Sequence, residues 1–309
     1  LWWTRSAEIC VRRAQGMSRC ALHPGFIGLG AIGRPMAANL CHAGFRLNVH
    51  TRSRSAETAP ELQGARSCAS PAVAADAVDV LLICVSDDQA VETVLFGSDG
   101  AASTLRPDSV VVDCSTIAPA TAMACAERLA QQGIHYLDAP VTGGTEGAKA
   151  GKLTLLAGGE STALASVRPV LEVIGSTIHH FGPVGRGQQV KAVNQVLVAG
   201  SYAAVAEAMA LGKRLDLPMD QVVEALKSGA AGSWALDHRS AGMLMGHYPL
   251  GFRLALHHKD LGIALEAAES VQLELPISRT VRQLEHDLMQ QGHGDEDVSA
   301  LHRQFETKS

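Results

Sequence analysis

The sequence predicts an α/β protein in which a Rossmann-type, doubly wound and mostly parallel sheet is followed by an all-α C-terminal domain. Short apolar runs rich in β-branched residues alternate with alanine-rich helical stretches from about residue 23 to 182. Helical periodicity then continues from residue 187 to 309 without a persuasive strand. With 309 residues, 47% of them hydrophobic, the chain is long enough for two domains. We therefore expect an N-terminal extension at 1–22, the sheet domain at 23–184 and the helical domain at 185–309.

The sheet is predicted from seven short segments that are apolar and rich in β-branched residues. They lie at residues 23–28, 46–50, 79–85, 109–114, 134–139, 152–158 and 177–181. Helices between them include residues 34–44 and a segment with Pro119 in its first turn and Gly133 past its end. Apolar strands separated by helices are typical of parallel sheets that carry helices on both faces.

The helical domain is predicted to begin with one long helix from about Gln188 to Arg214. Its most apolar part, residues 192–211, has the length of a membrane span. This part nevertheless contains four polar residues: Asn194, Gln195, Ser201 and Glu207. We therefore predict a buried helix of a soluble protein, without association with a membrane.

Charge and cysteine usage exclude several classes of partner. The net charge of -5 offers no basic field for nucleic acid or an anionic membrane. The seven cysteines are odd in number and form no CxxC pair, which favours a reducing compartment, the cytoplasm, over a disulfide framework. Neither the cysteines nor the thirteen unclustered histidines show ligand spacing, so we expect no metal site. The histidines are predicted to be surface residues or hydrogen-bonded core residues.

The first sixteen residues contain basic residues and two tryptophans, but no continuous apolar region and no small-residue cleavage site. This pattern does not predict a secretory signal. Met17 opens the segment that leads directly into the first strand. We therefore expect Met17 to be the natural start and the residues before it to be an upstream extension.

A glycine-rich turn joins the first predicted strand to the first predicted helix. Gly28, Gly30 and Gly33 form the pattern G-x-G-x-x-G, with Ala31 and Ile32 between the last two. The first glycine permits a tight turn, the second lets the backbone approach a pyrophosphate, and the third permits close packing of helix and strand. The helix amides and dipole then bind phosphate. The turn therefore predicts a dinucleotide site, the alternative being a tight turn without a ligand.

The end of the second predicted strand indicates which dinucleotide is bound. An acidic residue there would hold the ribose hydroxyls of NAD, but this chain has Thr51, Arg52, Ser53 and Arg54. Guanidinium groups bind phosphate, and an acid would repel it. NADP is therefore favoured over NAD, the alternative being a solvated basic turn.

Four ordered motifs, together with these features, resemble the β-hydroxyacid dehydrogenases. They lie at residues 25–40, 113–119, 138–151 and 185–195, and "HHKDLGIAL" at 257–265 supports them. The resemblance covers the chain from residue 24 onward. It implies an NAD(P)-dependent oxidoreductase that reduces a small semialdehyde bearing a carboxylate, and the first expectation is reduction of tartronate semialdehyde to glycerate. A homodimer or homotetramer is expected, because the alanine-rich long helix suits an interface between subunits.

The segment "DAPVTGGTEGAKAG" is predicted to bind the substrate carboxylate. The hydroxyl of Thr142 and the amides of Gly143 and Gly144 form a nest for an anion after what we take to be an interior strand of the sheet. The alternative is a glycine-rich surface hairpin. The family usually has serine at the position of Thr142, and the extra methyl group would narrow the pocket.

Lys191 and Asn194 lie three residues apart and therefore share one face of the long helix. A lysine among apolar neighbours is unusual, because a buried ammonium needs a partner or a function. The resemblance implies that Lys191 is the catalytic acid and base, with its pKa lowered by burial, and that Asn194 orients the substrate hydroxyl. The alternative for Lys191 is an exposed lysine at a helix start.

The resemblance also places several residues near the nicotinamide end of the cofactor: Val85, Ser115, Thr116 and Lys259. Ser115 is expected to contact the substrate as well, because the turn follows a strand at the carboxyl edge of the sheet. The alternatives are a helix N-cap for Ser115 or Thr116 and a surface ion pair with Asp260 for Lys259.

The alternative activities are a 3-hydroxyisobutyrate or other short 3-hydroxyacid dehydrogenase and a succinic semialdehyde or glyoxylate reductase. Imine reductases share the fold but usually replace the lysine, so Lys191 counts against them. The alternative outside the enzymes is a protein that binds the dinucleotide as a sensor and catalyses no reaction. A sensor has no need of a proton donor, so Lys191 also disfavours that alternative.

Overall fold

The computed structural model describes residues 22–306, so the expectations for residues 1–16 and for Met17 lie outside the described residues. The first six strands form one parallel sheet in the order β3-β2-β1-β4-β5-β6. They are β1 (Pro24–Ile27), β2 (Asn48–His50), β3 (Arg66–Ser67), β4 (Val80–Ile83), β5 (Val110–Asp113) and β6 (His135–Asp138). The strand order reverses between β1 and β4, which opens a crevice at the carboxyl ends of these strands.

Helices cover both faces of this sheet, as predicted. They are α1 (Gly33–His42), α2 (Pro71–Ala75), α3 (Asp88–Phe96) and α4 (Pro119–Ala130). Alternate strand residues point to opposite faces, so Phe26 and Val112 join one buried cluster while Ile27 and Val111 join another. The predicted doubly wound architecture is confirmed.

A second, three-stranded sheet was not anticipated. It contains β7 (Val141–Thr142), β8 (Leu153–Ala157) and β9 (Gly175–His180), with β7 antiparallel and β9 parallel to β8. Its helices are α5 (Gly144–Ala150) and α6 (Ser161–Ile174). The assignment of residues 152–158 and 177–181 to the main sheet is therefore wrong.

The main sheet ends at β6, which is an edge strand and not the interior strand we expected. After β6 the chain passes through Pro140, which cannot donate a hydrogen bond to a continuing ladder, and only an isolated bridge joins Asp138 to Gly158. The two unpredicted strands, β3 and β7, have two residues each. Such short strands carry too little alternation to be recognised in a sequence.

The remaining helices confirm the predicted all-helical C-terminal region. They are α7 (Arg186–Arg214), α8 (Met219–Leu226), α9 (Trp234–Met245), α10 (Leu254–Ser270) and α11 (Pro276–Gln290), followed by a 3₁₀ segment (Val298–Phe305). Helix α7 is long and apolar enough to cross a membrane by length and composition, with a mean hydropathy of 1.3. It packs against α9, α10, α11 and the 3₁₀ segment, as a core helix does. The boundary between residues 184 and 185 stays a prediction.

Candidate active site

The three glycines of the β1–α1 turn differ in what an added side chain would contact. Gly28 has a φ of +100°, and a Cβ added to it would lie 2.2 Å from the Cys84 carbonyl oxygen. A Cβ on Gly33 would lie 2.0 Å from the Gly28 oxygen. A Cβ on Gly30 would meet no atom within 4 Å. Packing therefore requires glycine at two positions, whereas the bare backbone of Gly30 borders open space that a ligand can fill.

The start of α1 suits a phosphate group. Its N-cap, Ile32, provides no side-chain cap, and its first turn contains no acidic residue. The first amides of a helix have no partner within the helix and form its positive end. The amides of Ala31, Ile32 and Gly33 lie just before and at the start of α1, beside the β1–β4 crevice, and their binding to the pyrophosphate of a dinucleotide stays a prediction.

In the turn after β2, the two arginines that the sequence suggested for binding a phosphate differ in their contacts. Arg54 pairs with the buried Glu57 at 3.1 Å and donates to the Cys68 carbonyl at 2.6 Å. Glu57 also accepts a hydrogen bond from the Thr51 amide at 2.9 Å. Arg52 is exposed and belongs to no ion pair within the part of the chain that the structure describes. The binding of Arg52 to a phosphate therefore stays a prediction, whereas Arg54 is already engaged by Glu57, a residue that we had missed and that shapes the turn.

The first turn of α7 is tied to the carboxyl ends of β5 and β6. Asp138 accepts hydrogen bonds from the amides of Gly185 and Gln188, each at 2.8 Å. Burial raises the pKa of Asp138 to about 6, although these amides oppose the rise. The Gln188 side chain donates to the Ser115 carbonyl at 2.8 Å and accepts from the Ile117 amide at 3.2 Å. These contacts fix the position from which Lys191 projects.

Lys191 is buried, with 7% of its surface exposed, so the alternative of an exposed helix-start lysine is wrong. Its Nζ donates to the Val141 carbonyl at 2.9 Å and lies 6.0 Å from the centre of the Phe252 ring. Burial lowers the pKa of Lys191, the Asp260 carboxylate opposes this change, and the Lys259 ammonium reinforces it. A lysine with a lowered pKa can release its proton more readily than a free one.

Asn194 is oriented by a chain of hydrogen bonds that sequence reasoning had missed. Gln195 is buried, and its Nε2 donates at 2.7 Å to Asp260, which can only accept. Its Oε1 therefore faces Asn194 and accepts from Nδ2 at 2.7 Å. The hydrogen bond from Gln195 to Asp260 thus determines that Asn194 donates to Gln195 and not the reverse. Among residues 22–306, none donates a hydrogen bond to the carbonyl oxygen of Asn194, so this oxygen can accept one from a ligand.

The loop after β5 meets α10 across the crevice. Ser115 is buried, and its hydroxyl accepts a hydrogen bond from the Val85 amide at 3.0 Å. The Thr116 carbonyl accepts one from Lys259, whose ammonium also pairs with Asp260 at 2.9 Å. Helix α4 has Ala118 as its N-cap, so the capping alternative for the hydroxyls is wrong. The structure thus brings together Val85, Ser115, Thr116 and Lys259, with the Ser115 hydroxyl already engaged.

The predicted carboxylate nest lies beside Lys191. Thr142 directly follows Val141, whose carbonyl binds the lysine, and is half-buried. Gly143 and Gly144 have φ values of +129° and +63°, which other residues rarely adopt. The segment is therefore not a simple surface hairpin, because it joins β7 to α5 next to a buried ammonium.

Two residues that sequence reasoning missed connect this segment to the helical part. Glu146, in α5, pairs with Arg239 of α9 at 2.7 Å. The adjacent Thr145 amide donates to the Gly251 carbonyl at 3.3 Å. No sequence signal links these residues, because they are about 90 or more positions apart. Within residues 22–306, no cluster of three potential metal ligands is present.

Comparison with known proteins identifies the family of this chain. Residues 23–182 match the family model for the NAD binding domain of 6-phosphogluconate dehydrogenase. Residues 185–305 match the model described as NAD-binding of NADP-dependent 3-hydroxyisobutyrate dehydrogenase.

Individual relatives cover almost the whole chain. A 2-hydroxy-3-oxopropionate reductase of Escherichia coli is 37% identical over 277 residues, which are 90% of this chain and 94% of the relative. A 2-(hydroxymethyl)glutarate dehydrogenase of Eubacterium barkeri is 36% identical over 283 residues, 91% of this chain and 94% of the relative. A solved structure, Psf3 in complex with NADP+ and 2-OPP, has a TM-score of 0.85 at 28% identity and covers 92% of this chain and 100% of that one. The chain therefore belongs to the β-hydroxyacid dehydrogenase family of NAD(P)-dependent oxidoreductases.

Proposed function

We propose that this enzyme reduces 2-hydroxy-3-oxopropanoate, also called tartronate semialdehyde, to glycerate, with NADPH favoured over NADH. The observation that carries the proposal is the carbonyl oxygen of Asn194, which accepts no hydrogen bond from the described part of the chain and lies on the same helix face as Lys191. This substrate has a hydroxyl group between its carboxylate and its aldehyde. That hydroxyl can donate to Asn194, whereas the methyl group of methylmalonate semialdehyde cannot. The relative of Escherichia coli bears the name of a reductase for this compound.

Each group of the substrate then has a partner. Thr142 and the amides of Gly143 and Gly144 would hold the carboxylate, which directs the aldehyde towards Lys191. The ammonium of Lys191 would hydrogen-bond the aldehyde oxygen and give it a proton as the carbonyl carbon accepts a hydride. The bound coenzyme supplies that hydride. In the reverse direction, neutral Lys191 would accept the hydroxyl proton.

Initial rates with a panel of aldehydes test the choice of substrate. The panel contains 2-hydroxy-3-oxopropanoate, methylmalonate semialdehyde, succinate semialdehyde and glyoxylate, each with NADPH and with NADH. We expect the hydroxylated compound to have the highest kcat/KM, by roughly tenfold or more over the methyl analogue, because the methyl analogue would cover the Asn194 carbonyl oxygen without donating a hydrogen bond to it. An Asn194→Leu variant should remove most of this preference. A higher kcat/KM for methylmalonate semialdehyde would instead support a 3-hydroxyisobutyrate dehydrogenase.

The choice of coenzyme is expected to depend on Arg52. Arg52→Asp should reduce kcat/KM for NADPH by roughly 10-fold to 100-fold and leave NADH almost unaffected, because it replaces a cation beside the 2′-phosphate by an anion. Arg168→Asp, the same change of charge at an exposed residue of α6, is the control. The measurement is kcat/KM for both coenzymes in the three proteins. An unchanged preference in Arg52→Asp would remove Arg52 from the site.

The proposed setting is the cytoplasm. The five described cysteines are all free, and Cys68, Cys114 and Cys125 are buried as small core residues. Burial raises the pKa of the Cys125 thiol to about 12, which keeps it in the unreactive thiol form. A reducing compartment with a supply of NADPH suits both the cysteines and the reaction.

A further inference from the structure

Two segments that are far apart in the chain meet at the Lys191 ammonium. One is the stretch that begins with Val141, whose carbonyl accepts a hydrogen bond from Nζ at 2.9 Å, and continues through residues 142–144. The other contains Phe252, whose ring centre lies 6.0 Å from Nζ. Both segments border the space in which an aldehyde would meet Lys191, so the spacing between them limits the size of that space.

Asp297 fixes the backbone of the segment that contains Phe252. Its carboxylate is completely buried and accepts hydrogen bonds from the amides of Gly251 and Phe252 at 2.9 and 2.8 Å. The same carboxylate accepts hydrogen bonds from the amide and the hydroxyl of Ser299, in the 3₁₀ segment. Four donors from two parts of the chain therefore hold Phe252 against the helical region.

Arg239, in α9, connects Asp297 to the other segment. Its Nε lies 3.4 Å from Oδ1 of Asp297, and its Nη2 donates at 2.7 Å to the Glu146 carboxylate. Only 8% of Arg239 is exposed, and the Trp234 ring has its centre 4.6 Å from the guanidinium carbon. Because the donors of a guanidinium have a fixed planar arrangement, one arginine can hold two carboxylates at a set distance. We call Glu146, Arg239 and Asp297 the arginine bridge.

Two glycines show how closely the arginine bridge approaches both segments. A Cβ on Gly251 would lie 2.2 Å from Nη2 of Arg239, so only glycine lets the guanidinium come this near to the Phe252 segment. A Cβ on Gly144 would lie 3.0 Å from Oε2 of Glu146, so this carboxylate lies beside the proposed site of the substrate carboxylate. Without Arg239, the negative charge of Glu146 would repel the substrate.

We propose that Glu146 and Arg239 are positioning residues that set the spacing between residues 142–144 and Phe252 and thereby select the length of the aldehyde. The enzyme then favours substrates with one carbon between the carboxylate and the aldehyde over those with two. A second carbon adds a bond of about 1.5 Å, and the bridged segments must move apart to admit it. The proposal rests on the proposed binding of the substrate carboxylate by residues 142–144. It does not depend on whether the middle carbon carries a hydroxyl or a methyl group.

Glu146→Ala and Arg239→Met each break the arginine bridge. We expect either variant to lower the ratio of kcat/KM for 2-hydroxy-3-oxopropanoate to that for succinate semialdehyde by roughly tenfold or more, mainly through a higher KM for the shorter aldehyde. Arg239→Met should also raise the KM of both aldehydes, because it leaves the Glu146 charge without a partner. The KM of NADPH should stay within about twofold of the wild-type value, because the bridge lies away from the β1–α1 turn.

The double variant Glu146→Ala and Arg239→Met tests whether the two residues act as one unit. Its ratio of kcat/KM should equal that of each single variant, because the first substitution already breaks the bridge. Arg239→Met removes a partner of the buried Asp297 and is the variant most prone to misfold. Glu146→Gln therefore provides a milder test, because it keeps the size of an exposed side chain and removes only its charge. Circular dichroism and coenzyme titration verify that each variant is folded.

Arg303→Met is the matched control. It removes an arginine of the helical region that pairs with Glu296 at 2.8 Å and is not part of the arginine bridge. The ratio of kcat/KM for the two aldehydes should stay at the wild-type value in this variant. An equal change of the ratio in Arg303→Met would overturn the proposal, because general loosening of the helical region would then explain the result.

Three further results would overturn the proposal. One is an unchanged ratio in folded Glu146→Ala and Glu146→Gln, another is additive effects in the double variant, and the third is a wild-type preference for succinate semialdehyde. Failure of the proposed function has a different signature. A wild-type preference for methylmalonate semialdehyde would reject the proposed substrate, but this compound has the same spacing of carboxylate and aldehyde, and the variants would still lower its kcat/KM relative to succinate semialdehyde.

Discussion

Replacement of Lys191 by alanine is expected to lower the turnover number by a factor of roughly 10² to 10⁴. The lost ammonium acts on the alkoxide that develops as hydride arrives, so its removal raises the energy of the transition state more than that of the bound substrate. Coenzyme affinity should hardly change, because Lys191 contacts the Val141 carbonyl and lies near Phe252, not at the β1–α1 turn. Steady-state kinetics and a fluorescence titration with NADPH measure both quantities.

Lys191→Arg is the control for charge. Arginine keeps the positive charge but does not release its proton near neutral pH, and its larger guanidinium cannot take the position of the Lys191 ammonium beside the Val141 carbonyl without displacing its neighbours. We expect turnover to fall almost as far as in Lys191→Ala. A variant with arginine that retained normal turnover would show that charge alone is sufficient and that no proton is transferred from this residue.

The pH dependence of the wild type provides an independent check. Because the pKa of Lys191 is lowered from the value of a free lysine, the ammonium is lost at a lower pH than in solution. Reduction of the aldehyde needs the protonated form, so its rate should fall as the pH rises through this pKa. Oxidation of the hydroxyacid needs the neutral form and should rise over the same interval. If Lys191→Ala kept near-normal turnover and the same pH dependence in both directions of the reaction, Lys259 would become the candidate for the proton transfer.

Substitution of Gly30 by valine is expected to weaken NADPH binding by roughly 100-fold or more while leaving the fold intact. A side chain there meets no protein atom within 4 Å, so it would occupy only the space in which the pyrophosphate is expected. The φ of Gly30 also lies outside the positive range in which residues with side chains are strained. The free energy of unfolding in the absence of coenzyme should therefore change by less than about 1 kcal/mol.

Gly33→Val is the matched comparison within the same turn. Its Cβ would lie 2.0 Å from the Gly28 oxygen, so the junction of β1 and α1 must move. We expect both coenzyme affinity and stability to fall, the latter by roughly 2 kcal/mol or more. Thermal unfolding without coenzyme and titration with NADPH distinguish the two variants. If Gly30→Val destabilised the protein as much as Gly33→Val, glycine at position 30 would have a packing role and its link to a ligand would be lost.

The features that could be predicted from the sequence are those that depend on residues near one another in the chain. The strand, the glycine turn and the helix between residues 24 and 42 form a continuous pattern that can be recognised without knowledge of any contact to the rest of the chain. The apolar strands predicted a sheet covered on both faces, and Lys191 was conspicuous because its neighbours on α7 are apolar. These signals depend on periodicity and residue type, which do not require knowledge of the fold.

Other features depended on contacts between distant residues. The Gln195 amide is oriented by Asp260, 65 positions away, and Asp138 holds the start of α7 from 47 positions away. Arg54 looked as suitable for a phosphate as Arg52 until the folded turn placed Glu57 against it. A buried polar group binds whichever complementary group packing brings to it, and such pairs leave no periodic trace in a sequence. The sequence alone therefore determined the doubly wound main sheet, the helical C-terminal region and the types of residue available for chemistry. The tertiary structure decided that β8 and β9 belong to a separate sheet, which polar groups are already paired and which remain free for a ligand.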